Sequence, residues 1–243
     1  MGTASADEDA PAATDDIGKG ASDDYDPWRP FNEKMFFFNH DVLDRYLLKP
    51  IAEGWNKVLP DGGKRALDRA FDNLGMPRRL VNNLLQGRFR GAARELGRFG
   101  VNTTIGVVGL LDVAKVQLHM DKSDADTGQT LGVYGFGPGP YLVLPTLQPL
   151  TVRDGIGYGV DGLLDPFGYF MPFFATGGVS IVKQVNERSL NLEVFQDVED
   201  SVFELYSAVR NGYLQRRHRS IEEAIEASHT EWHPAPQESM AAR

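Results

Sequence analysis

The sequence predicts a mainly α-helical fold. Apolar residues recur at three- and four-residue steps through much of the chain, the period of one helix face. The uncharged apolar stretches are too short, or too interrupted, to cross a bilayer. Of the 243 residues, 42% are hydrophobic and 10% aromatic. That length and composition let one large domain, or two small ones, bury a core.

Residues 1–24 are small and acidic and cannot repay the entropy of ordering, so they read as a disordered leader or tether. The start, "MGTASADEDAPAATDD", has no apolar h-region, and Ala6 stands where a myristoylation motif wants Ser or Thr. Asn32 is a candidate N-cap, with Phe31 placed to staple onto Phe36. From there Met35, Val42, Leu43, Tyr46 and Leu47 share one helical face, while Phe37 and Leu48 lie opposite beside Asp41 and Asp44. Further helices are expected at about 63–74, 78–87 and 89–105. Leu192, Phe195, Val198, Val202, Leu205, Val209 and Tyr213 predict one long C-terminal helix. Arg216, Arg217, His218 and Arg219 suit its negative end, as a solvated basic cluster. Residues 25–228 read as a single domain and 229–243 as a flexible polar tail.

Several function classes fail on the residues. The net charge of -9 argues against nucleic acid or a polybasic membrane contact. Cysteine is absent, which removes disulfides, thiolate chemistry and Cys-ligated metals. Gly135, Gly137 and Gly139 in "VYGFGPGPYLVLP" invite a phosphate-loop reading. They do not complete G-x-G-x-x-G, and Pro138 and Pro140 lack the N–H groups that a phosphate nest needs. No G-x-S-x-G elbow occurs, and Ser180 in "GGVSIV" lacks its glycines. His229 and His233 do not form H-E-x-x-H. Asp121, Asp124 and Asp126 would need a further ligand where Gly128 sits, so they read as a solvated acidic loop. No metal or other cofactor is expected.

The uncharged stretches and aromatic clusters remain. Thr127–Val152 is broken by four prolines, and Pro166–Val182 is short of the about 20 residues a span requires. Phe99–Leu111 is shorter still. "MFFF" (35–38) and "YFMPFF" (169–174) could be core. But consecutive helical residues point about 100° apart, so one core face cannot take them all.

Three blocks resemble a known family: "DPWRPFNEKMFFFNHDVLDRYLLKP" (26–50), "VNNLLQGRFRGAARELGRFGVNTTIGVVGLLDVA" (81–114) and "DTGQTLGVYGFGPGPYLVLPTLQPLTVRDGIGYGVDGLLDP" (126–166). Together, in this order, they are similar to the MlaA (VacJ) outer-membrane lipoprotein family. The resemblance implies a ring-shaped, monotopic helical fold in the periplasmic leaflet of a Gram-negative outer membrane, with a central amphipathic channel. It implies removal of phospholipids misplaced in the outer leaflet and their transfer to a soluble, MlaC-like periplasmic carrier. It also implies association with a porin trimer, and no covalent chemistry. The family's signal peptide and lipidated cysteine have no counterpart in this sequence.

On that basis Phe36, Phe37, Phe38, Phe170, Met171, Phe173 and Phe174 are assigned to membrane or lipid. Tyr134, Phe136 and Tyr141 are placed nearer the lipid path. The glycine- and proline-rich stretch is expected to be an irregular, stiff connection running beside that path. Two alternatives stay open: a scaffold that docks on porins without moving lipid, and a lipid-acting hydrolase.

Overall fold

A computed structural model describes residues 26–164 and 173–232. The expected leader, residues 1–24, therefore lies outside the described residues, as do Phe170 and Met171. The fold is mainly helical. The first helical run has three parts: α1 (Arg29–Phe37), a π-helical stretch (Phe38–Leu48) and α2 (Lys49–Val58). In the middle part the wider winding ends where the Lys49 amide donates to Asp44. Pro50 follows at once; it has no N–H to give and crowds the preceding turn, which accounts for a change of winding here.

Four helices follow: α3 (Asp61–Leu74), α4 (Met76–Leu85), α5 (Phe89–Thr104) and α6 (Val113–Leu118). The first three match the period read from the sequence to within two residues at either end. Then come α7 (Thr127–Val133) and two short strands, β1 (Tyr141–Leu142) and β2 (Leu150–Thr151). The strands pair antiparallel, Tyr141 with Thr151 and Leu142 with Leu150. Next are α8 (Val152–Leu163), α9 (Phe173–Leu190), α10 (Leu192–Ser201) and α11 (Leu205–Trp232). α4 packs on α5, α7 on α8, α9 on α2 and α3, and α11 on α7.

Three expectations need correction. Asn32 is not an N-cap: it sits a turn inside α1, fully buried. The single C-terminal helix is two, α10 and α11, with extended backbone at Val202 (φ -113°, ψ 124°) between them. The apolar period runs through the break, but Asp197, Glu199 and Asp200 load the end of α10 with negative charge, which the helix dipole disfavours. The basic cluster 216–219 is consequently not a helix end: α11 continues to Trp232, four residues into the segment assigned to the tail.

α7 and α8 meet backbone to backbone. A Cβ on Gly157 would lie 2.3 Å from the Gly128 amide nitrogen, closer than any side chain can sit. Asp126 caps α7 by accepting from the Gln129 amide at 2.8 Å, and Thr151 caps α8 by accepting from Asp154. We expect Gly157→Ala to destabilise the fold by about 1–3 kcal/mol through overpacking. Gly159, two residues on, has open space around its would-be Cβ. Gly159→Ala should stabilise by roughly 0.5–1 kcal/mol. Thermal unfolding followed by circular dichroism compares the pair.

Candidate functional site

The distribution of residues between surface and interior is inverted. Among the described residues, twenty-one buried side chains are polar or charged and ten are hydrophobic, five of those being alanine. Thirty-two large hydrophobic residues are exposed. A solvated globular domain keeps its large apolar groups inside, so this pattern marks a surface meant for something other than water.

The sharpest part of that surface is the loop 105–111. Ile105, Val107, Val108, Leu110 and Leu111 are all exposed. Yet six of its seven amides donate to backbone carbonyls, including Val108 to Thr103 at 3.0 Å and Gly109 to Asn102 at 2.8 Å. Val107 and Val108 hold left-handed φ values of 54° and 59°, which β-branched residues rarely accept. Asn102 stiffens the base: its Nδ2 donates to Asp112 at 2.9 Å and its Oδ1 accepts from Ala114 at 2.9 Å. An apolar loop with all but one of its amides paired to backbone carbonyls is suited to a medium poor in hydrogen-bond partners.

Inside, polar groups do the joining. Arg79 donates to Glu95 at 2.7 Å, and Glu95, fully buried, also accepts from the Ser123 amide. Arg217 reaches inward from α11 to Asp126 and to Asp154 at 3.0 Å. Burial by itself raises the Asp154 carboxyl, but Arg217, the Tyr213 hydroxyl and Arg153 hold it below its ordinary value. Burial and Asp154 in turn push the Tyr213 hydroxyl up. The expected solvated acidic loop is thus a misreading for Asp126, which is both helix cap and ion-pair partner. Asp161 behaves oppositely: burial raises it, despite hydrogen bonds from Thr127.

The glycine- and proline-rich connection is clamped by two asparagines of the first helical run. Asn32 donates to the Tyr141 carbonyl at 2.9 Å and accepts from the Val143 amide at 3.0 Å. Asn39 does the same for Leu144, at 2.8 Å, and Thr146, at 3.0 Å. The seven steps from Asn32 to Asn39, α-helical up to Phe37, rise about 10 Å. Three residues of extended chain span about 10 Å, so the two clamps fall in register. Sequence reasoning missed both. The available signal was a pair of asparagines seven residues apart inside an aromatic helix.

The predicted aromatic residues separate. Phe37, 59% exposed, and Phe38 face outward from the first helical run. Phe36 does not: it is half-buried, edge-on to Tyr206 at 5.6 Å and 5.8 Å from the His40 ring. Tyr134 and Phe136 are exposed, and the Tyr134 hydroxyl donates to the Leu85 carbonyl. Tyr141, placed near the lipid path by the sequence, is buried at 3% exposed. Its ring is packed between Tyr206 and Tyr213, joining β1 to α11. Phe173 and Phe174 open α9, but their side chains lie outside the described residues, as do Phe170 and Met171 altogether.

These features define a class: a mainly helical protein with a polar interior, an apolar exterior and, among the described residues, no helix long and apolar enough to cross a membrane. The MlaA lipoprotein family model matches residues 24–220, and the chain belongs to that family. It is 33% identical to the intermembrane phospholipid transport system lipoprotein MlaA of Haemophilus influenzae, covering 81% of this chain and 79% of that one. With the protein of the same name from Escherichia coli it shares 32% identity, over 85% and 80% of the two chains. A protein of Rickettsia bellii is 35% identical over 84% of this chain and 79% of its own length. A solved structure, from work on the structural basis for maintenance of bacterial outer membrane lipid asymmetry, superposes with a TM-score of 0.72 at 32% identity. It covers 81% of this chain and 99% of that one.

Two outcomes follow from the polar interior. Asn39→Ala should leave the helical content intact while amide exchange at Thr146 rises, because that amide loses its acceptor. Asp154 sits below its ordinary 3.8, so its stabilising contribution is complete above that pH and is lost as pH falls through the folded value. Asp154→Asn should therefore lower the melting temperature at neutral pH and flatten its fall towards acid. A melting series from neutral to strongly acid pH checks this.

Proposed function

We propose that the protein is a phospholipid transport component of the outer membrane. It rests in the periplasmic leaflet with its apolar exterior among acyl chains. In this reading the helices form a ring around an amphipathic channel. Phospholipid misplaced in the outer leaflet descends through that channel to a soluble periplasmic carrier, so lipid asymmetry is maintained. A porin trimer holds the protein in place.

The observation that carries this reading is the inverted surface, above all the loop 105–111. An exposed strip of Ile, Val and Leu with six of its seven amides already paired gains free energy in hydrocarbon and carries little of the cost of unpaired N–H groups. The names of the Haemophilus influenzae and Escherichia coli relatives supply the direction: intermembrane phospholipid transport. Movement of intact lipid between surfaces breaks no covalent bond, so the reading asks for no nucleophile.

Two measurements test it. The Val107→Asp/Val108→Asp variant should keep its circular dichroism spectrum and lose vesicle binding in flotation by at least about tenfold, since it places two charges in an apolar loop. The unsubstituted protein should take phospholipid from labelled vesicles and hand it to a periplasmic carrier. A scaffold would float but would transfer no label.

A further inference from the structure

Between the π-helical stretch and α10 lies a cavity of about 210 Å³. It is smaller than the roughly 300–1,000 Å³ of sites for drug-sized ligands, closer to a headgroup than to a whole lipid. Its walls are charged. Asp41, Arg45 and Lys49 recur at four-residue steps on one side, and Glu199 and Asp200 stand on the other. Two of the acidic wall groups have partners: Asp44 is gripped by Arg188 at 2.7 Å, and Glu199 lies 3.4 Å from His40. Those pairs tie the walls together. Arg45, Lys49, Asp41 and Asp200 form no ion pair with any described residue.

A cavity that keeps uncommitted cations and uncommitted carboxylates together is matched by a ligand carrying both signs. A simple anion would meet Asp41, Glu199 and Asp200 as well as the cations. A metal ion would meet Arg45 and Lys49, and no group of three or more His, Asp or Glu side chains among the described residues is arranged to hold one. The same two segments also present exposed apolar side chains, Val42, Tyr46 and Leu47 on one and Phe195 and Val198 on the other. A soluble zwitterion would have no use for them; acyl chains would.

We infer that this cavity binds the headgroup of a zwitterionic phospholipid. Arg45 and Lys49 donate to the phosphate oxygens, Arg45 through its planar fork. Asp41 and Asp200 accept from the ammonium group. The assignment rests on the transport reading and names the lipid class and one station on its route.

The test uses the full chain in maltoside micelles. It is mixed with vesicles of phosphatidylethanolamine and phosphatidylglycerol, recovered, and its retained lipid measured by mass spectrometry. The unsubstituted protein should retain phosphatidylethanolamine in preference. Arg45→Gln/Lys49→Gln should reduce total retained phospholipid by about tenfold or more, as two charge-assisted contacts are lost. Asp41→Asn/Asp200→Asn should retain lipid but lose the preference. Soluble phosphoethanolamine should compete, and inorganic phosphate at equal concentration should compete far less.

Equal amounts and ratios in all three proteins would overturn the headgroup site and leave the transport reading standing. Equal competition by inorganic phosphate would reduce it to an anion site. If the unsubstituted protein retains no phospholipid, both readings fail. All four substituted side chains lack ion-pair partners among the described residues, so circular dichroism should be unchanged throughout.

Discussion

Helices whose outer faces are apolar cannot be held together in the usual way. In water, burying Leu and Phe between helices drives association. Against hydrocarbon that difference vanishes, and cohesion falls to close packing and polar bonds between helices. The interior of this protein is suited to that constraint, which the transport reading proposed above would impose. α4 and α5 are joined by Arg79 and Glu95, and α11 is joined to α7 and α8 by Arg217 between Asp126 and Asp154. α7 and α8 touch through glycines. Removing one partner of such a buried pair leaves an uncompensated charge, at about 3–5 kcal/mol, so each junction is strict about its residues.

The polar bonds also close the chain on itself. The segment 141–154 is gripped from both ends of the sequence. Asn32 and Asn39 hold its backbone from the first helical run. From α11, Tyr213 donates to Asp154 and Tyr206 packs against the Tyr141 ring. Asp26, just ahead of α1, accepts from both Asn32 and the Tyr206 hydroxyl, so the two grips share one carboxylate. Pro145 and Pro149 lie within this segment, and Pro138 and Pro140 just ahead of it. They keep the segment stiff, and the two clamps leave it little freedom.

Local order was legible in the sequence, and long-range polar pairing was not. The helices between 61 and 104 follow from apolar period alone. The geometry of consecutive phenylalanines foretold that "MFFF" could not all point one way, but not that Phe36 turns in while Phe37 and Phe38 turn out. That depends on Tyr206, far along the chain. Asn32 was misread because an asparagine near a helix start is the ordinary cap signal, and its true partner lies 109 residues away. Arg217 looked solvated because a sequence shows a charge without its counter-charge. The break at Val202 was hidden by an apolar period that continues straight through it. The three motif blocks gave the family; residue roles came only with the geometry.

The backbone of Val107 and Val108 ties these strands of argument together. A left-handed conformation costs an L-residue roughly 1–2 kcal/mol, more for a β-branched side chain. Two such residues in succession would relax in water, where the exposed valines gain nothing by staying put. Fully burying a valine in an apolar medium is worth about 1.5–3 kcal/mol, enough to offset the strain at each position. The turn that holds this strain also satisfies the amides of 108–111 and so lowers the other cost of entering hydrocarbon. Under the transport reading proposed above, its conformation is the one a lipid environment would select. A polar interior, fixed by Asn102 and Asp112 at the base of the loop, is what holds it there.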